Sequence, residues 1–208
     1  MHALIVFAQV LVQVESAPDL VDAARLVPEL QVDLRYATAD NFLGEAIYKD
    51  LTRCFLHKDA AQMLYEAEAA LRFERPALRL RVYDCARPQF VQEAMWKLVA
   101  GTPKADYVAD PKRRSIHNFG CAVDLTVADE KGRALDMGTE FDHFGPLARP
   151  DQEKRFLKAG KLTEQQVANR QILRKAMRSA GWVSLPNEWW HYDCTKQKEA
   201  RRRYRPIP

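Results

Sequence analysis

The stretch SIHNFGCAVDLT, residues 115–126, predicts a loop that leads directly into a buried β-strand. Over residues 121–127, Cys, Val, Leu and Val alternate with Ala, Asp and Thr, which is the two-residue period of a strand. Asp124 is unusual in this apolar run, because a buried carboxylate is costly unless it is charge-paired, hydrogen-bonded or bound to a metal. His117 lies in the preceding loop, and Gly120 permits the tight turn that follows it. The stretch therefore predicts a functional carboxylate on a strand, close to a histidine.

The segment EWWH, residues 188–191, contains a second acid and a second histidine among large apolar residues. The two segments together supply His117, Asp124 and His191, a suitable set of three zinc ligands that leaves a fourth position open to water. For either histidine alone, a buried imidazole satisfied by hydrogen bonds is the commoner alternative. Because both segments are present, we favour a metal site. The sequence has no HExxH motif, which excludes the zinc proteases that bind the metal on one long helix.

Glu188 is the candidate general base of such a site. Pro186 and Asn187 precede it and favour a turn, so that Glu188 would lie over the metal without binding it. A metal lowers the pKa of water, and a nearby carboxylate can take the proton and later pass it to a leaving amine. The alternative is that Glu188 forms an ion pair with one of the many arginines of the chain.

The segment YDCARP, residues 83–88, is predicted at the end of a strand that opens into a helix. Arg87 could reach the oxyanion that forms when a carbonyl is attacked, where a fixed guanidinium is worth several kcal/mol. Asp84 could hold Arg87 in place. The alternative is an ordinary Asp–Arg pair at a junction between a strand and a helix.

The remaining sequence mixes helical and strand patterns without βαβ regularity, which favours the α+β class. It contains no repeat and no low-complexity linker, so we expect one domain. Helices are predicted over residues 19–30, 58–73, 88–99 and 163–180. Strands are predicted over residues 32–36, 78–83, 121–127, 182–185 and 188–193.

The composition is that of a folded protein with enough apolar material for a core. Of 208 residues, 47% are hydrophobic and 29% are charged, with a net charge of +4, which excludes a disordered chain. No apolar run reaches the roughly 20 residues of a membrane-spanning helix. Much of the positive charge lies in residues 196–205, which we interpret as a solvated terminus. Because this tail lacks an aromatic stacking platform, no nucleic-acid partner is expected.

Residues 1–17 are predicted to be a secretory signal peptide, followed by one domain over residues 18–208. Residues 3–14 are apolar except for two glutamines and are followed by small residues, as in signal peptides, although no lysine or arginine precedes them. The alternative is a first strand or a buried helix. Export would place the protein in the periplasm or outside the cell, and the alternative is the cytoplasm. The four cysteines allow two disulfides in three pairings, or four buried thiols: Cys54, Cys85, Cys121 and Cys194.

Taken together, the motifs resemble the VanX-type D-alanyl-D-alanine dipeptidases, zinc peptidases related to the D,D-carboxypeptidases that trim peptidoglycan stems. The resemblance runs in order through most of the chain and implies an α+β domain, in which helices flank a central antiparallel sheet that holds the zinc site. It rests on VDLRYATADNFLG (32–44), DCARP (84–88), SIHNFGCAVDLT (115–126), LDMGTEFDHFG (135–145) and EWWH (188–191).

The resemblance also implies a role for each candidate residue. The implied roles are zinc ligand for His117, Asp124 and His191, with one Zn²⁺ per chain, catalytic base for Glu188, transition-state stabilisation for Arg87, and substrate contact for Ser115 and Asp142. Asp142 would bind the α-ammonium of a free dipeptide. Ala86 departs from the family, which often has an aromatic residue there, and this affects the shape of the pocket more than its chemistry.

We therefore expect zinc-dependent hydrolysis of D-Ala-D-Ala to two D-alanines. One alternative is a D,D- or L,D-carboxypeptidase that acts on longer peptidoglycan stems and needs an open cleft. The other is a non-catalytic, zinc-containing module that binds the cell wall, which would have no use for Glu188 and Arg87. The oligomeric state is left open.

Overall fold

The computed structural model describes residues 10–48 and 50–208. The described residues form one mixed α/β domain in which helices and strands follow each other irregularly. In chain order the elements are α1 (Val10–Glu15), β1 (Leu20–Asp22), α2 (Ala23–Leu26), β2 (Gln31–Val32), β3 (Phe55–His57), α3 (Lys58–Glu74), β4 (Leu78–Asp84), α4 (Gln89–Val99), β5 (Ala122–Asp129), α5 (Glu153–Lys158), α6 (Glu164–Ser179), β6 (Val183–Ser184), β7 (His191–Asp193) and α7 (Gln197–Arg203).

A five-stranded sheet with the order β2-β4-β5-β7-β6 lies at the centre of the domain. The pairs β4–β5, β5–β7 and β7–β6 are antiparallel, whereas β2 pairs with β4 in parallel. A parallel neighbour requires a crossover connection, and here β3 and α3 lie between β2 and β4 along the chain. A separate two-stranded sheet pairs β1 with β3. The α+β prediction is confirmed, with a mixed rather than wholly antiparallel central sheet.

Two amphipathic helices cover this sheet. Helix α3 packs on β4, and α6 packs on β5 and on α3. The apolar face of α3 is buried at helical spacing, and α6 begins at a capping box, in which the side chains of Thr163 and Gln166 each accept the other's backbone N–H. The resulting core encloses β5, which is buried from residue 122 to 128.

The predicted helix over residues 19–30 is wrong for most of its length. Residues 20–22 form β1, which pairs with β3, and only Ala23–Leu26 is helical after the side chain of Asp22 accepts the Ala24 N–H. Helical spacing of apolar residues cannot reveal a strand partner that is distant in sequence. Similarly, the strand predicted over residues 32–36 is limited to β2, and a 3₁₀ turn follows at Arg35–Ala37.

Both ends of the chain pack against the domain where they are described. Residues 1–9 of the N-terminal segment lie outside the described residues, and within α1 the side chains of Val10 and Val14 are fully buried. The basic tail is more ordered than predicted, because it forms α7 and is followed by buried Tyr204 and Ile207, although its arginines are exposed. None of the helices among the described residues has the length and apolarity needed to cross a membrane.

Two disulfide bonds, Cys54–Cys85 and Cys121–Cys194, brace the ends of the strands. The first joins the residue before β3 to the residue after β4, and the second joins the residue before β5 to the residue after β7. Each bond closes a loop and so lowers the conformational entropy of the unfolded chain. Both therefore stabilise the folded domain, and both lie at the part of the sheet that carries residues 84–87, 124 and 191.

One buried acid on α3 makes the stability of the domain depend on pH. Glu68 is 4% exposed, and its Oε2 accepts the Leu80 N–H at 2.7 Å. Burial raises the pKa of Glu68 to about 7, and the hydrogen bond from Leu80 only partly opposes this shift. The folded state therefore holds a proton that the unfolded chain loses near pH 4.5. We expect the contribution of Glu68 to stability to be complete below that pH and to disappear as the pH rises through about 7.

Urea unfolding between pH 4.5 and 8 tests this expectation against Glu68→Gln, which keeps the acceptor for Leu80 but cannot ionise. Relative to the variant, the wild type should lose on the order of 2 kcal/mol of unfolding free energy over this range. Glu66→Gln, at an exposed position on the same helix, is the control. Identical pH profiles for the wild type and Glu68→Gln would contradict the prediction.

Candidate metal centre and active site

The pairing of β5 with β7 brings two of the predicted ligands together. Asp124 lies directly opposite His191 in the antiparallel register, so both side chains project from the same face of the sheet. His117 lies on the 3₁₀ helix Ile116–Phe119, just before β5. Gly120 ends this helix at φ +61°, and a Cβ there would lie 2.9 Å from the His57 backbone nitrogen. Only glycine allows the turn to pack this closely.

Three ligand atoms converge at this point. His191 Nδ1 lies 3.0 Å from Asp124 Oδ1, His117 Nε2 lies 3.4 Å from Asp124 Oδ2, and the two imidazole nitrogens are 3.3 Å apart. All three side chains are buried, and their ligand atoms lie within 4.8 Å of one another. The set could hold a metal ion.

The outer nitrogens of the two imidazoles are fixed by acceptors. His117 Nδ1 donates to the Cys85 carbonyl oxygen at 2.7 Å, and His191 Nε2 donates to Asp193 Oδ1 at 2.9 Å. Because both acceptors demand a hydrogen on the outer nitrogen, the neutral rings present their lone pairs to each other and to Asp124. Two lone pairs and a carboxylate facing one point fit a cation.

The electrostatics of the three side chains agree with this interpretation. Burial works against an imidazolium at His191, yet Asp193 and Asp124 raise its pKa well above the ordinary value. Burial likewise disfavours the ionised form of Asp124, but His117 and His191 outweigh it and hold the pKa of this carboxyl well below its ordinary value. The carboxylates around the two imidazoles therefore attract positive charge to this point, which a bound metal ion would supply.

Asp193 was missed in the sequence, although it lies two residues after His191 and therefore on the same face of β7. Carboxylates that orient metal-binding histidines typically contribute 10- to 100-fold in metal affinity. If the site holds a metal ion, Asp193→Asn should weaken its binding by about 10- to 100-fold, which competition with a chromogenic chelator measures with Zn²⁺ as the probe. Asp129→Asn, at the far end of β5, is the control. An unchanged metal affinity in Asp193→Asn would show that Asp193 does not orient His191 for metal binding.

Glu188 lies in the turn between β6 and β7, at the edge of the metal centre. The backbone bends at residues 186–187 as predicted, and β7 begins only at His191. Glu188 Oε2 is 3.9 Å from His191 Nδ1, and Oε1 accepts from the Asn187 amide at 3.1 Å. Among the described residues no arginine lies within ion-pair distance of it. Burial raises the pKa of Glu188 to about 7, with His191 opposing the shift, so this carboxyl can both accept and return a proton near neutral pH.

Arg87 lies just before α4, and its guanidinium is buried and held from two sides. Its Nε donates to Asp84 Oδ2 at 3.1 Å, Nη2 donates to the same oxygen, and Nη1 donates to Gln92 Oε1 at 2.7 Å. Asp84 is fully buried and also accepts from the Tyr48 hydroxyl at 2.9 Å. The guanidinium lies over the ring of Tyr36. The predicted Asp–Arg pair therefore exists and fixes an arginine beside the metal centre.

The two predicted substrate contacts lie on loops around the same site. Ser115 caps the 3₁₀ helix that bears His117, and its Oγ accepts the His117 N–H. Asp142 has φ +59°, a left-handed conformation that is unusual for a residue with a side chain, and accepts from the Tyr36 hydroxyl at 3.0 Å. Burial raises the pKa of Asp142 well above its ordinary value, and the charge of Asp124 adds to the shift.

A cavity of about 220 Å³ joins these groups. The predicted site residues all line it: His117, Asp124, His191, Glu188, Arg87, Ser115 and Asp142. The cavity is small, and aromatic and aliphatic side chains also line it, among them Phe42, Phe144 and Val108. Its size suits a small ligand rather than a long peptide.

Comparison with known proteins agrees with this arrangement. A family model described as D-Ala-D-Ala dipeptidase, of peptidase family M15, matches residues 16–207. The D-alanyl-D-alanine dipeptidase of Escherichia coli K12 is 37% identical over 182 residues, which cover 84% of each chain. Those of Synechocystis and Enterococcus faecalis are 26% and 29% identical and cover 71% and 77% of this chain, respectively. The chain therefore belongs to the D-Ala-D-Ala dipeptidase family of M15 peptidases and is a hydrolase of that family.

Proposed function

We propose that this protein is a zinc-dependent dipeptidase that hydrolyses D-Ala-D-Ala to two D-alanines. The observation that supports this most directly is the convergence of His117, Asp124 and His191 on one point beside Glu188 and Arg87, inside a cavity of about 220 Å³. Two imidazoles and a carboxylate are a common ligand set for catalytic zinc, which leaves a coordination position free. The named relatives are D-alanyl-D-alanine dipeptidases.

In the proposed reaction each group has a separate task. When bound, zinc supplies Lewis acidity, which polarises a carbonyl and lowers the pKa of water. Glu188 takes a proton from the attacking water and returns it to the nitrogen of the leaving D-alanine. Arg87 donates to the oxyanion that develops on the former carbonyl oxygen, in surroundings from which water is largely excluded.

Asp142 and Ser115 complete the proposed site by orienting the substrate. The carboxylate of Asp142 accepts a hydrogen bond from the Tyr36 hydroxyl. It also binds the α-ammonium of the dipeptide through a charge-assisted hydrogen bond. A substrate without a free amine at that position would leave this partly buried acid with the Tyr36 hydroxyl but without a cation, which is unfavourable. Ser115 offers its hydroxyl to the substrate from the N-terminal end of the 3₁₀ helix that bears His117.

Two alternative functions fit the cavity less well. A D,D- or L,D-carboxypeptidase for long stem peptides needs an open cleft, whereas this cavity is small and contains an acid suited to an amine. A non-catalytic wall-binding module has no need for Glu188 and Arg87 beside its metal. Neither alternative explains why a partly buried acid and a buried arginine line the same small space.

The test is hydrolysis of D-Ala-D-Ala, L-Ala-L-Ala and a pentapeptide stem, each with and without a chelator. We expect D-Ala-D-Ala to be cleaved much faster than the other two, chelation to abolish cleavage, and added zinc to restore it. Preferential cleavage of the stem would favour the carboxypeptidase, and undiminished cleavage by metal-depleted protein would remove the zinc mechanism.

We also propose that the protein is exported, with the periplasm as its site of action. Both disulfides support this location, because such bonds persist in oxidising compartments and are rare in the cytosol. Trapping of free thiols in fractionated cells tests it. The protein should be found in the periplasmic fraction with no thiol available for alkylation, and a reduced cytosolic pool would contradict the proposal.

A further inference from the structure

We propose that Gln92 is a positioning residue for Arg87, which it holds in the orientation that the transition state requires. This inference rests on the proposed function. Gln92 lies on α4 and is fully buried. Its Oε1 accepts from Arg87 Nη1 at 2.7 Å, and its Nε2 donates to the Ala109 carbonyl oxygen, also at 2.7 Å. One buried amide thus links the arginine to another part of the cavity wall.

The bond from Arg87 to Gln92 fixes the plane of the guanidinium. Asp84 binds Nε and Nη2 from one side, and Gln92 binds Nη1 from another. A guanidinium has five N–H groups, so these bonds leave one hydrogen on each terminal nitrogen for other acceptors. Because Asp84 and Gln92 hold the guanidinium from both sides, its two remaining hydrogens point in defined directions. Donors fixed in advance in this way are what stabilisation of an oxyanion requires.

The choice of an amide as the second acceptor has an electrostatic consequence. The buried guanidinium already forms an ion pair with one carboxylate, that of Asp84. A neutral acceptor at Gln92 orients Arg87 without adding a second charge, so the field of the arginine at the cavity is preserved. An acidic residue at this position would orient Arg87 but would weaken its attraction for the oxyanion.

The other end of Gln92 is bonded to the wall of the cavity. Val108 and Ala109 line the cavity, and the Ala109 carbonyl receives the Gln92 amide. A purely structural role would consist of this second bond alone, which anchors the loop to α4. Gln89 offers a matched comparison, because its Nε2 donates to the Pro111 carbonyl in the same loop at 3.1 Å but makes no bond to Arg87. The two glutamines separate anchoring of the loop from positioning of the arginine.

The test is a double-mutant cycle between Gln92 and Arg87. Gln92→Met removes both hydrogen bonds at similar volume, and we expect it to lower kcat for D-Ala-D-Ala by about 10- to 100-fold with little change in KM. In an Arg87→Ala background the same substitution should have almost no further effect on kcat, because its action passes through Arg87. Gln89→Met should stay within threefold of the wild type.

The outcomes of the cycle are distinct. Losses that multiply in the double variant, or equal losses for Gln89→Met and Gln92→Met, would overturn the inference and leave the proposed function intact. A wild-type protein that does not cleave D-Ala-D-Ala would overturn both. Thermal melting of each variant establishes that it is folded at the assay temperature. If Gln92→Met does not fold, Gln92→Asn, which keeps an amide but is too short to bond to both Arg87 and the Ala109 carbonyl, replaces it in the same cycle with the same expected lack of additivity.

Discussion

Glu188→Gln is expected to lower kcat for D-Ala-D-Ala by about 10³-fold and to leave zinc stoichiometry unchanged. Glutamine has nearly the same shape as glutamate and can keep the bond from Asn187, but it cannot take a proton from water. Residue 188 is also not one of the three candidate metal ligands, His117, Asp124 and His191. The fall in kcat should therefore come from a slower chemical step, while metal binding is unchanged.

Steady-state kinetics and metal analysis of the purified variant test this prediction together. Glu164→Gln, on the first turn of α6, is the matched control and should retain wild-type kcat. A variant that keeps a tenth or more of the activity would show that another group serves as the base. A variant that loses its zinc would show instead that Glu188 is a metal ligand.

Arg87→Ala is expected to lower kcat by about 10²- to 10³-fold, with a much smaller change in KM. The reason is that the charge of the arginine is needed where negative charge develops, and not in the ground state. Arg87→Lys should recover little of the lost kcat, because an ammonium cannot replace the planar guanidinium that bonds to both Asp84 and Gln92. Kinetics on D-Ala-D-Ala with both variants provide the measurement.

The arginine variants also require a control for the loss of a buried ion pair. Removing Arg87 leaves Asp84 fully buried with the hydroxyl of Tyr48 and the Cys85 N–H as partners, so a lower melting temperature is expected. Arg174→Ala breaks another largely buried pair, with Glu153 at 2.6 Å, outside the cavity, and should leave kcat unchanged. A rise in KM at unchanged kcat would mean that Arg87 binds the ground state of the substrate.

Local patterns in the sequence predicted the elements whose own residues specify them. Helix α3 has a continuous apolar face, α6 has a capping box, and β5 alternates through a buried run. Pairings between distant segments were not predictable in this way. The segment at residues 20–22 became a strand because β3 lies beside it, and this tertiary contact outweighs its helical spacing.

The candidate site divides in the same manner. Side chains of unusual type for their surroundings, such as Asp124 in an apolar strand or Arg87 at a strand end, stood out in the sequence. The partners that orient them did not. Asp193 and Gln92 are polar residues in unremarkable positions, and the Cys85 carbonyl has no side-chain signature at all. The two-residue spacing from His191 places Asp193 on the same face of the strand, but its bond to the imidazole, like the roles of Gln92 and the Cys85 carbonyl, follows from the three-dimensional arrangement.

The disulfide Cys121–Cys194 has a consequence for the chain in its denatured form. His117 lies four residues before Cys121, Asp124 lies three residues after it, and His191 lies three residues before Cys194. In urea, with this bond intact, the three side chains stay tethered at a high local concentration, as in a short chelating peptide. Zinc should therefore retain measurable affinity for the oxidised, denatured polypeptide, and it should raise the unfolding midpoint of the oxidised protein less than its affinity for the native state would require.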